Sequence, residues 1–285
     1  MVISGNLILN RKTKEGHIYM DQLLNRLLLF LNTSQKKDVN YEITKYLIQN
    51  FSQCETVTIQ EICNKCYVSQ TSVIRFCKLF NFTSWKSFHE YLVNTKEIQE
   101  NKLHSRFENI DLDQIYYKLA YIAQGHNKSF KNSLKYAIDM LIQSIRECNN
   151  IYIFGTVYPL SLSLDFQKGM VSQGKIVYCN VSSQINLIDS LDKKDIAIIL
   201  TSTGEYFPEH KKTVSKIYKS GAKKVVISSS TRYKEMKGIK HYIYIPFSDC
   251  GEEKDYDYYL IGVLDIIFVE YYLRYIYKKE SVKMI

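Results

Sequence analysis

The chain has 285 residues, enough for two ordinary domains, and its 46% hydrophobic and 24% charged residues are typical of a folded, water-soluble protein. No apolar run approaches the ~20 residues of a membrane-spanning helix, and no secretory signal pattern opens the sequence, so we expect a cytoplasmic protein without membrane contact. Lys and Arg outnumber Asp and Glu by 38 to 29, and the resulting net charge of +9 favours, without requiring, a polyanionic partner.

Apolar residues recur every three or four positions up to about residue 103, which predicts an all-α N-terminal domain. Thr58 followed by Glu61 has the pattern of a capping box at a helix start. Residues 96–112 are polar without an apolar stripe, so we place a linker there, between a domain of residues 1–95 and a second of residues 113–285. The predicted N-terminal helices span Ile18–Leu31, Val39–Phe51, Thr58–Cys66, Ser69–Phe80 and Ser84–Val93.

From residue 150 onward, short β-branched runs alternate with helical stretches, after one or two helices in residues 113–148. The runs lack strict alternation, as expected for strands covered on both faces, and the order predicts a five-stranded, parallel, doubly wound α/β sheet. The predicted strands are Ile151–Gly155, Ile176–Asn180, Ile196–Thr201, Lys224–Ser230 and Tyr242–Pro246. The predicted helices are Pro159–Gln173, Gln184–Leu191, Tyr206–Ser220, a short one near Arg232–Lys237, and Tyr256–Tyr277.

The helices Thr58–Cys66 and Ser69–Phe80, joined by a tight turn at Tyr67 and Val68, predict a helix-turn-helix motif. Val73, Ile74 and Cys77 are expected to face the core. Short polar groups and Arg at an exposed helix start can contact base edges and phosphates, so we expect major-groove binding to double-stranded DNA. The alternative is an ordinary three-helix core with a solvated basic face. The candidate DNA-binding residues are Ser69, Gln70, Thr71, Ser72, Arg75, Lys78 and Lys86.

Cys63 and Cys66, with Cys54 and Cys77 nearby, raise the alternative of a zinc site. Their irregular spacing and their positions on apolar helix faces favour small buried thiols instead. A chain of this length can also build its core without disulfides. We therefore expect reduced cysteines, no metal and no cofactor.

Residues 58–94 resemble the N-terminal domain of RpiR-type bacterial regulators. The sequence departs from that pattern at Tyr67 and Asn81, where the family usually has Gly. Asn adopts a left-handed backbone readily, and Tyr less so. The resemblance implies a DNA-binding transcriptional regulator. The matching residues are Val68, Ser69, Thr71, Val73, Arg75, Phe76, Leu79, Phe82 and Phe88.

In the second domain, residues 201–206 follow a predicted strand and precede a predicted helix. Hydroxyls and free backbone N–H groups in that position can hold a phosphate. This domain resembles the SIS (sugar isomerase) domain, whose loop reads Ser-x-Ser-Gly-x-Thr/Ser; Thr201, Thr203, Gly204 and Tyr206 occupy the patterned positions. The resemblance implies a sugar-phosphate-type effector. The candidate effector-binding residues are Gly155, Thr201, Ser202, Thr203, Gly204, Glu205, Tyr206, Ser228 and Ser229.

The loop after the first strand departs further from the SIS pattern of Gly-x-Gly-x-Ser. Only Gly155 is retained, and Pro159 offers neither a hydroxyl nor an N–H group. Two interpretations stay open at this point. The site is either altered for a sugar phosphate or a related metabolite, or degenerate and kept as a dimerisation scaffold.

The sequence thus predicts a regulator of sugar or amino-sugar metabolism that works as a homodimer or a dimer of dimers, with Ile18–Leu31 and Tyr256–Tyr277 as candidate partner faces. The main alternative is a sugar-phosphate isomerase, which needs an acid/base pair. Glu205 is the only carboxylate in the phosphate-like loop, and we interpret His210 and His241 as solvated surface residues. We therefore expect no catalysis. A purely structural or protein-interaction module is the third alternative.

Overall fold

The computed structural model describes residues 22–34, 36–107, 110–124, 128–179, 188–189, 191–245 and 253–277. The helices are α1 (Gln22–Thr33), α2 (Val39–Gln49), α3 (Ile59–Cys66), α4 (Gln70–Leu79), α5 (Trp85–Phe107), α6 (Leu112–Gln124), α7 (Lys128–Glu147), α8 (Val157–Leu162), α9 (Leu164–Ser172), α10 (Tyr206–Glu209), α11 (Lys211–Lys219) and α12 (Glu253–Tyr272). The strands are β1 (Asn150–Gly155), β2 (Ile176–Tyr178), β3 (Ile196–Thr201), β4 (Lys223–Ser228) and β5 (Ile239–Tyr244). A 3₁₀ segment, Phe51–Thr56, follows α2, and a π-helical turn, Leu273–Tyr277, follows α12.

The five strands form one parallel sheet in the order β2-β1-β3-β4-β5, which confirms the predicted doubly wound α/β architecture. Gly155 pairs with Leu200, and Thr201 pairs with Ser228. Because the strands are parallel, the loops that follow β1, β3 and β4 leave the sheet at the same edge. This edge is where the sequence placed the candidate effector residues.

The sheet separates two groups of buried side chains, since successive residues of a strand point to opposite faces. Ile151 and Ile153 pack with α7 and α12 on one face. Most of α12 is buried in this layer, although Tyr258 and Ile261 are exposed. The apolar character of α12 is therefore explained mainly by burial within the chain rather than by a partner.

The N-terminal helices pack on the opposite face of the sheet, so the two predicted domains share one buried cluster. Tyr152 and Phe154 of β1 belong to that cluster together with Phe51 and Tyr41 of the N-terminal half. Val214 and Ile217 of α11 lie in the same cluster, so α11 covers the same face of the sheet.

A buried pair of amides joins α1 to α9. Asn32 Nδ2 donates to Gln167 Oε1 at 2.7 Å, and Gln167 Nε2 donates back to Asn32 Oδ1 at 3.0 Å. Gln167 Nε2 also donates to the carbonyl of Val177 in β2 at 2.8 Å. These bonds fix α1 in one register on the rear domain, because any shift would leave buried amides without partners.

Several elements differ from the sequence prediction. The predicted helices Pro159–Gln173 and Tyr206–Ser220 are each divided into two, α8 with α9 and α10 with α11. Helix α5 continues to Phe107, through the first part of the expected linker, because Leu103 and Phe107 pack on α12. Thr95 and Gln99 are polar residues on the buried face of α5. They interrupt its apolar pattern, which explains why the sequence did not predict the C-terminal part of this helix. The short helix expected near Arg232–Lys237 is a series of turns, and β5 begins at Ile239.

Two predicted helices fall partly outside the described residues. The first part of Ile18–Leu31 is not covered, and only Ile188, Asp189 and Leu191 of Gln184–Leu191 are. Within the described ranges, no helix combines the length and apolar character needed to cross a membrane.

Candidate nucleic-acid interface and ligand loops

The helix-turn-helix begins at α3, which starts where the sequence placed it. Thr58 Oγ1 accepts a hydrogen bond from the N–H of Glu61 at 3.1 Å. In a full capping box the Glu61 side chain would also bond to the backbone N–H of Thr58. Here the Glu61 carboxylate instead accepts a hydrogen bond from the hydroxyl of Tyr46 at 2.8 Å. Only the Thr58 hydrogen bond of the predicted capping box therefore forms, and the Glu61 side chain connects α3 to α2 instead.

The turn between α3 and α4 depends on a left-handed residue. Tyr67 has φ 57° and ψ 46°, and the following N–H, of Val68, donates to the carbonyl of Cys63 at 3.0 Å. Asn81, after α4, also has a positive φ of 67°. These are the two positions where the sequence departs from the Gly of the RpiR pattern. The Tyr67 side chain is 94% exposed and gains little packing in return for its backbone strain.

Helix α4 presents its first turn to solvent. Ser69 caps it by accepting from the N–H of Ser72 at 3.1 Å. Val73, Phe76 and Cys77 are fully buried against the other N-terminal helices. Ile74, which the sequence analysis placed in the core, is 37% exposed. The helical period explains this correction, because Val73, Phe76 and Cys77 share one face and Ile74 is turned about 100° away from Val73.

Six of the seven predicted DNA-binding residues lie on α4 or at its cap, and Lys86 lies in the first turn of α5. All of them are exposed except Ser72, which is half-buried at the capped turn. Among the described residues, no ion pair involves Arg75, Lys78 or Lys86. Their charges are thus available to an external anion. Gln70 Nε2 lies 3.4 Å from Gln60 Oε1, which connects the front of α4 to α3.

The candidate effector residues are brought together at the carboxyl edge of the sheet. Gly155 packs so closely that an added Cβ would lie 2.8 Å from the carbonyl oxygen of Leu200. Thr201 Oγ1, at the end of β3, accepts from the N–H of Tyr206 at 3.3 Å. Residues 180–183 lie outside the described residues.

A carboxylate of the chain itself binds the donors of the loop 201–206. The N–H and hydroxyl of Thr203 donate to Glu205 Oε2 at 2.7 Å and 2.5 Å. Burial raises the pKa of Glu205, but hydrogen bonds from Thr203 and Thr201 outweigh it, so the pKa lies below its ordinary value. Glu205 is therefore ionised at neutral pH. Its carboxylate occupies the Thr203 donors that a phosphate bound to this loop would need.

The serines after β4 hold two loops together. The hydroxyls of Ser228 and Ser229 both donate to the carbonyl of Ser202, at 3.0 Å and 2.7 Å. The backbone N–H of Ser229 donates to the same oxygen at 3.0 Å. These bonds hold Ser228 and Ser229 beside the loop 201–206. Their hydroxyl groups donate to the loop backbone and so stabilise its conformation.

The side chain of Tyr206 is buried, although the SIS pattern has a small hydroxyl residue at this position. Its ring is fully buried and stacks on His210 with 4.4 Å between centroids. Gly204, with φ 88°, lies against the ring of Tyr233, where a Cβ would come within 2.5 Å. The burial of the Tyr206 ring and the contact between Gly204 and Tyr233 both result from packing beneath the loop, because an aromatic ring is more stable in the core than in water.

His241 is also corrected by the structure. It is only 8% exposed, and its Nε2 lies 2.8 Å from the hydroxyl of Ser144. Burial lowers the pKa of His241 to about 4, with smaller contributions from Lys240 and Lys223. It lies on the edge strand β5 and pairs with Val225 near the amino end of β4, away from the loops at the carboxyl edge. In the part of the chain that the structure describes, no three His, Cys, Asp or Glu side chains are grouped for metal binding.

Sequence reasoning missed a groove of about 480 Å³ between α1 and the helices after β1. Asn32 and Gln167 lie at its base, and Leu29, Leu164 and Ile261 contribute partly exposed apolar walls. The available signal was Asn32 itself, a polar residue four positions after Leu28 on an otherwise apolar helix face.

The comparisons with known proteins concern both halves of the chain. Residues 26–97, from α1 into α5, match the model of the helix-turn-helix domain of the rpiR family. No curated protein matches the chain. Among solved structures, NanR from Vibrio vulnificus, complexed with ManNAc-6P, is 12% identical with a TM-score of 0.44, covering 92% of this chain and 95% of that one.

Two further solved structures are each similar to about half of the chain. The sugar isomerase domain of an RpiR transcription factor from Sphaerobacter thermophilus is 14% identical with a TM-score of 0.43, covering 52% of this chain and 84% of that one. A putative sugar-phosphate isomerase from Listeria monocytogenes is 13% identical with a TM-score of 0.44, covering 53% and 82%.

Proposed function

Because residues 26–97 form a helix-turn-helix domain of the RpiR family, we propose that the chain is a DNA-binding transcriptional regulator that acts in the cytoplasm. The observation that carries this proposal is the exposed first turn of α4, where Gln70, Thr71 and Arg75 face solvent above a fully buried apolar face. A capped, exposed helix start with an unpaired Arg is suited to insertion into a major groove.

The test is binding of the full chain to fluorescent duplexes taken from the region upstream of its own coding sequence. Arg75→Ala is expected to weaken binding by about 5- to 150-fold, because an Arg contact to guanine or phosphate contributes ~1–3 kcal/mol. Arg146→Ala is the matched control, since Arg146 is exposed on α7, on the opposite face of the sheet. Equal affinities for the two variants, or no duplex binding even at low salt, would overturn the proposal.

The proposed regulation is by a sugar-phosphate-type effector at the loop 201–206, in the control of sugar or amino-sugar metabolism. The N–H and hydroxyl of Thr203, exposed at the carboxyl edge of a parallel sheet, support this assignment. Glu205 must swing away for a phosphate to bind, because two anions cannot share the Thr203 donors. The altered loop is thus expected to bind such ligands weakly.

Thermal unfolding with hexosamine 6-phosphates and inorganic phosphate tests this regulation. Stabilisation of the wild type that is absent in Thr203→Val supports an effector site, since Val keeps the shape and removes the hydroxyl. Equal melting temperatures with and without every ligand would instead support the alternative, a degenerate domain retained for dimerisation. Turnover of a sugar phosphate would contradict the expectation, drawn from the sequence, that the chain does not catalyse a reaction.

We further propose that a dimer, or a dimer of dimers, places two α4 helices in successive major grooves. The walls of the groove beside α1 are the candidate contact, because Leu29, Leu164 and Ile261 are exposed there. Sedimentation of Leu29→Glu against the wild type checks this. If Leu29→Glu sediments with the same mass as the wild-type assembly, the walls of this groove are not the contact between subunits.

A further inference from the structure

The positive charge of the chain is concentrated away from the helix-turn-helix. Residues 210–240 contain ten of the 38 Lys and Arg residues and one of the 29 Asp and Glu residues. This segment therefore carries a net charge of +9, equal to that of the whole chain, and the remaining residues are neutral overall. Such a concentration calls for a local explanation, since self-repulsion among like charges destabilises a folded surface.

Helix α11 turns its share of these charges to solvent. Thr213, Val214 and Ile217 are buried and attach the helix to the sheet. Its opposite side exposes four lysines, namely Lys211, Lys212, Lys216 and Lys219. The arrangement is that of an amphipathic helix whose polar face carries a single sign of charge.

The segment that leads into β5 lies beside α11 and extends the same surface. A Cβ at Gly238 would lie 3.5 Å from the ring of Tyr218, which shows that the two segments are in contact. The segment exposes Arg232, Lys234, Lys237 and Lys240. We use the term lysine face for these four residues together with the four exposed lysines of α11.

The lysine face is scarcely neutralised by the protein itself. Between described residues, its one ion pair joins Lys216 to Asp189 at 3.4 Å. The exposed carboxylates of Glu209 and Glu235 are the nearby acidic groups in sequence. Seven of the eight basic groups are thus free to release counterions to a polyanion.

The position and chemistry of the face indicate which polyanion it fits. Helix α11 and the N-terminal helices cover the same face of the sheet, so the lysine face and α4 belong to the same side of the molecule. Tyr218 and Tyr233 are half-buried, and no aromatic ring of the described surface there is exposed for stacking on single-stranded bases. Lysines act as point charges that contact phosphates without reading sequence.

We propose that the lysine face binds the phosphate backbone of duplex DNA, flanking the site that α4 contacts. The position of the contact relative to α4 rests on the function proposed above. The duplex-binding activity of the face does not, because it requires only phosphates.

Salt titration of duplex binding tests this directly, with a random-sequence duplex of about 40 base pairs, long enough to pass beyond one half-site. The variant is Lys211→Gln/Lys212→Gln/Lys219→Gln. The control, Lys118→Gln/Lys131→Gln/Lys135→Gln, removes the same charge from α6 and α7 on the other face of the sheet. Circular dichroism verifies that both fold.

The lysine-face variant is expected to reduce the slope of log K against log salt by about 2–3, at ~0.9 for each phosphate that the variant no longer neutralises, while the control leaves the slope unchanged. Equal slopes for the two variants would overturn the inference, even where Arg75→Ala shows that α4 binds DNA. A lysine-face variant that is impaired only in binding to phosphatidylserine vesicles would also overturn it, by assigning the face to a membrane surface. An effect of the lysine variant without one of Arg75→Ala would uphold the face and refute the reading role of α4.

Discussion

Replacing Asn32 by Ala should destabilise the chain substantially, because its side chain is half of a buried pair of amides. Asn32 is 2% exposed and Gln167 is fully buried, so in the folded chain the two amides bond to each other rather than to water. The substitution removes two hydrogen bonds, each worth about 1 kcal/mol, and leaves the Gln167 Oε1 acceptor unsatisfied at a further ~1–2 kcal/mol. We expect the free energy of unfolding to fall by about 2–4 kcal/mol.

Urea unfolding measures this decrease with two probes. Trp85, the single Trp of the chain, reports on the N-terminal helices, and circular dichroism reports on the whole chain. Asn25→Ala is the control, because Asn25 is exposed on the same helix and lines the same groove, and it should change the stability by less than about 0.5 kcal/mol.

A double-mutant cycle separates the amide pair from the cavity that Ala leaves. Asn32→Ala and Gln167→Ala should be coupled by about 1–2 kcal/mol, since either one alone already breaks both reciprocal bonds. A coupling energy near zero, or equal stabilities for Asn32→Ala and Asn25→Ala, would refute the claim that these amides attach α1 to the rear domain.

Three further substitutions test local features. Tyr67→Gly should raise the free energy of unfolding by about 0.5–1 kcal/mol because it relieves a left-handed Tyr, whereas Asn81→Gly should change it less; a decrease in thermal stability in Tyr67→Gly would contradict this. Ser69→Ala and Thr58→Ala each remove an N-cap and should cost about 1 kcal/mol in urea unfolding, but only Ser69→Ala should also weaken duplex binding. The pKa of His241 is about 4 in the folded chain against an ordinary 6.5, so the unfolded state binds more protons between these values and stability should fall as pH drops from 6.5 to 4. His241→Gln should flatten the melting temperature across that range, and an unchanged pH profile would count against the buried histidine.

The local sequence was sufficient to predict the helices and strands in which apolar side chains recur with a single period. The start of α3 at Thr58, the cap at Ser69 and the parallel strands were predicted because their signals lie within a few residues of one another. The loops after β1, β3 and β4 lie at one edge of the sheet because these strands are parallel.

The sequence by itself determined the helix-turn-helix and the parallel α/β order, because hydrophobic periodicity and capping are short-range properties. Only the tertiary structure decided which faces were covered. It buried Tyr206 and His241, exposed Ile74, and extended α5 through polar Thr95 and Gln99. Each of these outcomes depends on a neighbour far along the chain, and burial is a property of the packed neighbours rather than of the residue type alone.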